Sequence, residues 1–250
     1  MHPSYHDYGD FSRADPRAFD LGQPFNIIGA LGCVCWIVAY VLIVRRAHRD
    51  RAYGLPIVAI CFNFAWELLA SFALPNPVWL WHTFDRVWLL VDVVIMAQLL
   101  RYGRALQTIP EFRAYFYPLV AVTFLAGLIG QYLFVIAYID RLGLVVAFGI
   151  NLVMSVAFCL WYFARRDDRR GVSVGAAWFK MLGTLGTSIE CHWVVRMIDP
   201  ELPSLGFLTF LCVAIFAVDV LYIVLVSRRD PYARAVGPSA DPSALTAGAA

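Results

Sequence analysis

Five ionisable side chains of this 250-residue chain lie inside long apolar runs: Glu67, Asp92, Lys180, Glu190 and Asp219. A charge placed in hydrocarbon costs about 2.5–3.5 kcal/mol on insertion scales, so such groups are candidates for proton transfer, pairing or ligand contact. At ~1.5 Å per residue, Glu67, Asp92 and Asp219 fall within roughly 5 Å of the midpoints of their runs. Asp85 and Lys180 lie near run ends, within reach of an interface. Polar and aromatic residues accompany the acids at helical spacing. Asn63, Trp66, Glu67 and Ala70 form one face; Asp85, Trp88 and Asp92 a second; Asn151 and Ser155 a third; Phe216, Asp219 and Tyr222 a fourth. Faces turned to lipid would be aliphatic throughout. The four faces therefore predict a central pocket lined by carboxyls, an amide and aromatic rings. The competing reading is structural: Lys180 pairs with an acid, and Asn63 bonds a neighbouring backbone. Glu190 and Asp85 read equally as pocket and as structural or interfacial groups.

The elements that must position these residues are membrane helices. The chain is 61% hydrophobic and 15% charged, with a mean hydropathy of +0.67. A soluble domain carries about 25% charged residues, so the natural solvent here is lipid. Seven apolar stretches, at 25–44, 54–74, 85–100, 116–138, 142–163, 174–195 and 205–226, are long enough to cross a ~30 Å layer with some tilt. The third is the shortest. Residues 1–24 read as a polar, mostly extended tail, residues 25–228 as a seven-helix transmembrane domain, and residues 229–250, rich in Ala, Pro, Ser and Gly, as a disordered tail. The first residues lack the basic-then-apolar pattern of a signal peptide.

Basic residues orient the bundle. Arg45, Arg46, Arg49, Arg51, Arg101, Arg104, Arg113, Arg165, Arg166, Arg169, Arg170, Arg228, Arg229 and Arg234 fall in alternate loops and the C-terminal segment. The other side holds Arg13, Arg17, Arg86, Arg141 and Arg196. Positive residues stay in the cytoplasm. The fold class expected is thus an all-α integral membrane protein, a seven-transmembrane-helix bundle with its N-terminus outside and its C-terminus cytoplasmic. A multi-pass place in the cell membrane follows. Trp79, Trp81, Trp88 and Trp193 suit an interfacial aromatic belt at the outer ends. These arginines explain membrane orientation better than nucleic-acid binding.

Several chemistries find no support in the sequence. There is no GxSxG elbow, no phosphate-binding P-loop, and no His/Cys cluster at metal-ligand spacing. The six cysteines, Cys33, Cys35, Cys61, Cys159, Cys191 and Cys212, all lie in apolar runs and read as packing residues. The Asp167–Asp168 pair lies among four arginines and reads as a solvated turn, not as a magnesium site. The only lysine, Lys180, is in the sixth run, whereas a retinal protein needs one in the seventh. Gly183 and Gly186, with Thr184 and Thr187, read as a close helix-packing surface. His192, near an outer helix end, needs no special role.

The segment CFNFAWE, Cys61–Glu67, resembles the Asn-x-x-Trp-Glu signature of the small integral-membrane terpene cyclases. These occur in fungal meroterpenoid and indole-diterpene pathways and in bacterial drimentine-type indole-sesquiterpenoid pathways. FAVDVLY, Phe216–Tyr222, is similar to that family's late aspartate followed by Tyr. FKMLGT, Phe179–Thr184, and NLVMS, Asn151–Ser155, also look like family segments. The resemblance covers roughly residues 25–226. It implies a protonation-initiated, class II-like cyclase that needs no metal and no cofactor. Such an enzyme protonates a terminal alkene or epoxide of a prenyl chain, and the carbocation closes the rings. The acid must hold its proton at neutral pH, which burial among apolar groups favours. On this resemblance Glu67 and Asp219 match the two catalytic acids, with Glu67 the preferred donor and Asp219 its partner or the donor itself. Asn63, Trp66, Trp88, Asp92, Asn151, Glu190, Phe216 and Tyr222 are the expected substrate-binding residues, the aromatic ones through cation–π contacts of ~0.5–2 kcal/mol each. Replacing Glu67 or Asp219 by its amide is expected to leave no charge unpaired.

The expected substrate is a prenylated hydrophobic molecule, first a farnesylated indole or another prenylated aromatic, drawn from membrane lipid. No nucleic acid is expected to bind. A pathway prenyltransferase is a possible partner. Two other classes compete: a proton-coupled small-molecule transporter, since midplane acids also make proton relays, and a non-catalytic membrane ligand-binding protein. The chain shows no internal repeat of the kind common in transporters. The charge asymmetry generates a direct prediction. Cysteine labelling or reporter fusions should place the Arg165–Arg170 loop and the C-terminus in the cytoplasm. An extracellular C-terminus would overturn the seven-span orientation.

Overall fold

The computed structural model describes residues 10–228, except 13, 139, 166, 167 and 199–204. Asp167, Arg166 and both outer tails, on which some of the expectations above fall, lie outside the described residues. All regular structure among the described residues is helical. Seven long helices carry the fold: α1 (Pro24–Asp50), α2 (Ile57–Phe72), α3 (Trp79–Tyr102), α4 (Phe116–Tyr138), α5 (Leu144–Ala164), α6 (Val174–Ile198) and α7 (Leu205–Ser227). Four of them are long and apolar enough to cross a membrane: α1, α4, α5 and α7. The apolar α2 is 16 residues long, about 24 Å at the helical rise. α3 and α6 are long enough, but their apolarity is diluted by His82, Asp85, Arg86 and Asp92 in one and by Lys180, Glu190, His192 and Arg196 in the other.

That dilution also explains the main difference from the expected spans. α3 begins at Trp79, six residues before the expected start. Its first turns carry His82, Thr83, Asp85 and Arg86, which hide a helix from any hydropathy reading. Local hydrogen bonds hold this end. Val78 N donates to Asn76 Oδ1 at 3.0 Å, and Thr83 Oγ1 donates to Trp79 O at 2.9 Å. The His82 ring also meets Ser71 O of α2 at 3.1 Å.

The described residues of the segment 10–23, expected as an extended tail, instead fold back onto the bundle. A 3-10 turn, Pro16–Phe19, buries Ala18 against Val194 and Ile198 of α6. Asp15 N donates to Met197 O at 2.9 Å, and Asn26 Nδ2 donates to Asp20 O at 2.8 Å. The hydrophobic signal here is a scatter of single residues, Phe11, Ala14 and Phe19, with no helical period to announce it.

Six helices pack in a ring in the order α1, α6, α7, α5, α2, α3 and back to α1, with α4 outside against α2. α2 and α6 therefore stand across the ring from each other. The closest seam is α1 on α6. A Cβ at Gly32 would lie 2.7 Å from Gly183 O and 2.9 Å from Thr187 N, and one at Gly186 would lie 2.9 Å from Gly32 Cα. These are backbone-to-backbone contacts, as expected of small-residue packing in membranes. α4 is tied to α2 by Gln131 Nε2, which donates to Phe62 O at 3.0 Å.

At the arginine-rich end, Asp168 accepts from Arg170 and Arg165 at 2.8 Å. Arg170 first, and then Arg165, hold its carboxyl below the usual carboxylate range against a partial loss of hydration. Asp168 is thus engaged in a charged turn.

The α1–α6 seam can be tested by adding one methyl group. Gly32→Ala should destabilise the protein by about 1–3 kcal/mol through overpacking, read as a lower melting temperature in detergent. Gly130→Ala, where an added Cβ meets nothing within 4 Å, should not lower it. Equal melting temperatures for the two variants would contradict a backbone-limited seam.

Candidate active site

A pocket of about 200 Å³ opens between α1, α2, α3, α5 and α6. Leu74, Pro75, Asn76, Trp81, Leu142 and Val194 line one end of it. These residues lie at the ends of helices opposite the arginine clusters. Tyr40, Asn63 and Met154 line the deeper end.

α2 supplies the central acid. Glu67 is 4% exposed, lines the pocket, and leaves Oε2 without a hydrogen-bond partner. The charges that act on it are those of Asp85 and Asp92 on α3. One turn earlier, Asn63 Nδ2 donates to both Tyr40 Oη and Asp92 Oδ2 at 2.6 Å. Asp92 is buried but stands behind Asn63, outside the pocket lining. Because Tyr40 accepts from Asn63, its own hydroxyl hydrogen remains available as a donor. Trp66 lines the pocket with its indole set against Gly143, where any Cβ would collide with the ring. Gly143 also has φ +64°, which favours glycine. This residue opens α5 and makes room for Trp66 together.

α3 contributes a stacked aromatic run. Trp81 and Phe84 lie 5.8 Å apart at 25°, and Phe84 and Trp88 lie 5.9 Å apart at 26°. All three line the pocket, and Trp88 Nε1 is buried without a partner. On α5, Asn151 Nδ2 donates to Thr184 Oγ1 at 3.0 Å, while its Oδ1 is left unpartnered. Glu190 of α6 lines the wall formed with α1, its carboxyl packed where Gly29 lacks a side chain.

The structure therefore brings Asn63, Trp66, Glu67, Trp88, Asn151 and Glu190 to one pocket. It places the α7 residues elsewhere. Asp219 accepts from Lys180 Nζ at 2.7 and 2.8 Å, and Lys180 also donates to Ser155 Oγ at 2.7 Å. The side chains of this pair are 4% and 3% exposed. Asp219 is partnered by a lysine, not by Glu67. Replacing it by Asn would leave Lys180 unpaired, contrary to the expectation from sequence. Phe216 is 42% exposed, and Tyr222 packs its ring 4.9 Å from that of Phe158. Neither lines the pocket.

Trp36 and Tyr40 of α1 line the pocket and were not anticipated. Cys33, Trp36 and Tyr40 recur at i, i+3 and i+7, a face that the sequence displays without any acid to draw attention to it. Asp85, expected as either pocket or interfacial, lines the pocket. Among the described residues, no group of three or more His, Cys, Asp or Glu side chains could hold a metal ion.

Comparison with known proteins places this geometry in a family. The terpene cyclase spyD of Aspergillus fumigatus is 34% identical over 82 residues, 32% of this chain and 35% of its own length. The terpene cyclase macJ of Penicillium terrestre is 26% identical over 171 residues, 67% of this chain and 66% of its own. The terpene cyclase andB of Emericella variicolor is 23% identical over 224 residues, 86% of this chain and 92% of its own. The matched segment thus spans about a third of spyD and nearly all of andB. No solved structure shows a significant match. The family model of the Pyr4-like transmembrane terpene cyclases matches residues 10–228, which include every helix described above. The chain belongs to the Pyr4-like transmembrane terpene cyclase family.

Proposed function

We propose that this protein closes rings on a prenylated hydrophobic substrate, with Glu67 as the acid that protonates a terminal alkene or epoxide. The observation that carries the reading is a sealed carboxyl with an unpartnered oxygen, Glu67 Oε2, in a pocket walled by Trp66, Trp81, Phe84 and Trp88. A carboxyl cut off from water and close to other carboxyls keeps its proton at neutral pH. Aromatic faces stabilise a carbocation without capturing it, by ~0.5–2 kcal/mol each. Asn151 and Trp88 also line the pocket, and each buries one polar atom, Oδ1 and Nε1, without a partner. A farnesylated indole or another prenylated aromatic remains the first substrate class to try, and a prenyltransferase the first pathway partner.

The seven long helices are read as seven spans of the cell membrane, with the N-terminus outside. The arginine clusters support this orientation. In it the pocket occupies the outer half of the bundle. Asp219 serves from behind the pocket, pairing with the Lys180 ammonium so that the two charges cancel within α5, α6 and α7.

The test is turnover by purified protein in detergent, where no sealed compartment exists. A transporter or a passive binding protein would leave the substrate unchanged there. Glu67→Gln should lower turnover by about 10²–10⁴-fold, the usual share of general acid catalysis, with an unchanged melting temperature because Glu67 has no ion partner. Near-normal turnover by Glu67→Gln would overturn its role.

Asp219→Asn should fail for a different reason. Removing one partner of a buried pair costs about 3–5 kcal/mol, so its melting temperature should fall along with its activity. Lys180→Met combined with Asp219→Leu should recover stability and much of the turnover. A stable but inactive double variant would return Asp219 to the chemistry.

Initiation by a proton releases no diphosphate and so requires no magnesium. Cyclisation should survive EDTA. Loss on chelation, restored by magnesium, would move the reaction to the ionisation class.

A further inference from the structure

A cascade that begins by taking up a proton must lose one to end as an alkene, and the group that receives it must touch the last cation. We infer that Glu190 is this terminal base; the inference rests on the protonation reading above. Glu190 lines the pocket from α6, across the ring from Glu67 on α2. Asp85 and Asp92, whose charges act on Glu67, both belong to α3. Glu190 stands apart from that group. Among the described residues no hydrogen-bond partner and no countercharge holds its carboxyl. Lys180, ten positions away in α6, is already satisfied by Asp219 and Ser155.

The fold makes room for this carboxyl. A Cβ at Gly29 would collide with Glu190 Oε2 and would lie 2.8 Å from Glu190 Cβ. Bare backbone at position 29 therefore lets a carboxyl line the α1–α6 wall. The other side chains of that wall, Cys33, Trp36, Tyr40, Thr187, Cys191 and Val194, include no second carboxylate, and their thiols, hydroxyls and rings are weak bases beside one. A cation arriving there meets one strong base.

The proton balance closes. Glu67 gives its proton to the terminal carbon, forming a C–H bond and a cation, or to the epoxide oxygen, which becomes a hydroxyl as its C–O bond opens. Alkene electron pairs then form the ring bonds and carry the cation along the chain. At the last cation a neighbouring C–H bond breaks. Its electron pair becomes the new C=C bond, and its proton passes to the Glu190 carboxylate. The substrate is isomerised with no oxidant or reductant. One proton returned through solvent from Glu190 to Glu67 resets the site.

The experiment separates starting the cascade from ending it. Purified wild type, E190Q, E190D and E67Q are incubated with a farnesylated indole and with its terminal epoxide. Products are resolved by chromatography, mass and NMR, and folding is checked by melting temperature. E190Q should consume substrate more slowly than wild type but faster than E67Q. The wild-type alkene should fall to a minority product, beside isomeric alkenes and a water-captured alcohol heavier by the mass of water. E190D, which keeps a carboxylate, should restore the wild-type alkene as the major product. If E190Q yields the wild-type alkene alone, at whatever rate, Glu190 is not the base. If E190Q is as inactive as E67Q while folded, Glu190 belongs to initiation and the inference is overturned. If E67Q retains near-normal turnover, or wild type converts neither substrate, the protonation reading itself falls and takes this inference with it.

Discussion

The bundle depends on how closely α1 can approach α6. Lipid offers no hydrophobic drive between helices, so association rests on packing and on internal polar contacts. Gly32, Gly183 and Gly186 let the two backbones touch over about one turn. This seam sets one wall of the pocket. It brings Trp36 against Gly183, with a Cβ-to-ring separation of only 2.6 Å were a side chain present. It also sets Glu190 against Gly29, and it anchors the folded N-terminal turn through Asp15 and Met197. A wider seam would loosen all three together. The opposite wall is built in another way. Gly143 gives space to Trp66, and Asn63 joins α2 to α1 and α3 through Tyr40 and Asp92. One side of the site is thus positioned by absent side chains and the other by an amide.

A second constraint is that polar groups inside a membrane protein must find partners inside it. Lys180, Asp219 and Ser155 satisfy one another and in doing so join α6, α7 and α5. Asp140 does the same for the start of α5, accepting from Val145 N at 3.1 Å and Val146 N at 2.8 Å. Against this background the unpartnered atoms are informative. Three of them, Glu67 Oε2, Asn151 Oδ1 and Trp88 Nε1, belong to residues of one pocket. Polar groups left unsatisfied in a native interior call for a ligand, a water or a chemical role.

The helices were legible because apolar runs of this length have one common explanation. Six of the seven expected starts fall within about four residues of the observed ones, α3 being the exception. The site was legible in part. Sequence shows which residues share a helix face, but not which faces meet. Lys180 and Asp219 are 39 positions apart, and their meeting depends on the packing order around the ring. Phe216 shows the angular limit of the method. Three residues before Asp219, it is displaced from it by about 60° around the helix at 3.6 residues per turn. That is enough to turn the ring outward while the carboxyl stays inside. Trp36 and Tyr40 escaped notice for the opposite reason. They are unremarkable aromatics on a helix without a midplane acid, and only the neighbouring helices give them a pocket to line.

On the proposed mechanism, the position of the ion pair puts a residue outside the pocket within electrostatic reach of a cation inside it. Lys180 Nζ lies 5.4 Å from the centroid of the Trp36 ring, and Trp36 lines the pocket. A bare ammonium there would repel a carbocation roughly 8 Å away by ~2 kcal/mol at an effective dielectric of 20. That is as much as one aromatic face contributes in attraction. The Asp219 carboxylate, bound to Lys180 through both oxygens, cancels most of that field and leaves a dipole. On the proposed mechanism, Asp219 therefore supports cyclisation without giving or taking a proton. Trp36, already facing one cation, is the poorest of the pocket rings to receive another. If Glu67 starts a cation cascade as proposed, the work of stabilising positive charge falls to Trp66 and to the stacked Trp81, Phe84 and Trp88, on the same side of the pocket as Glu67.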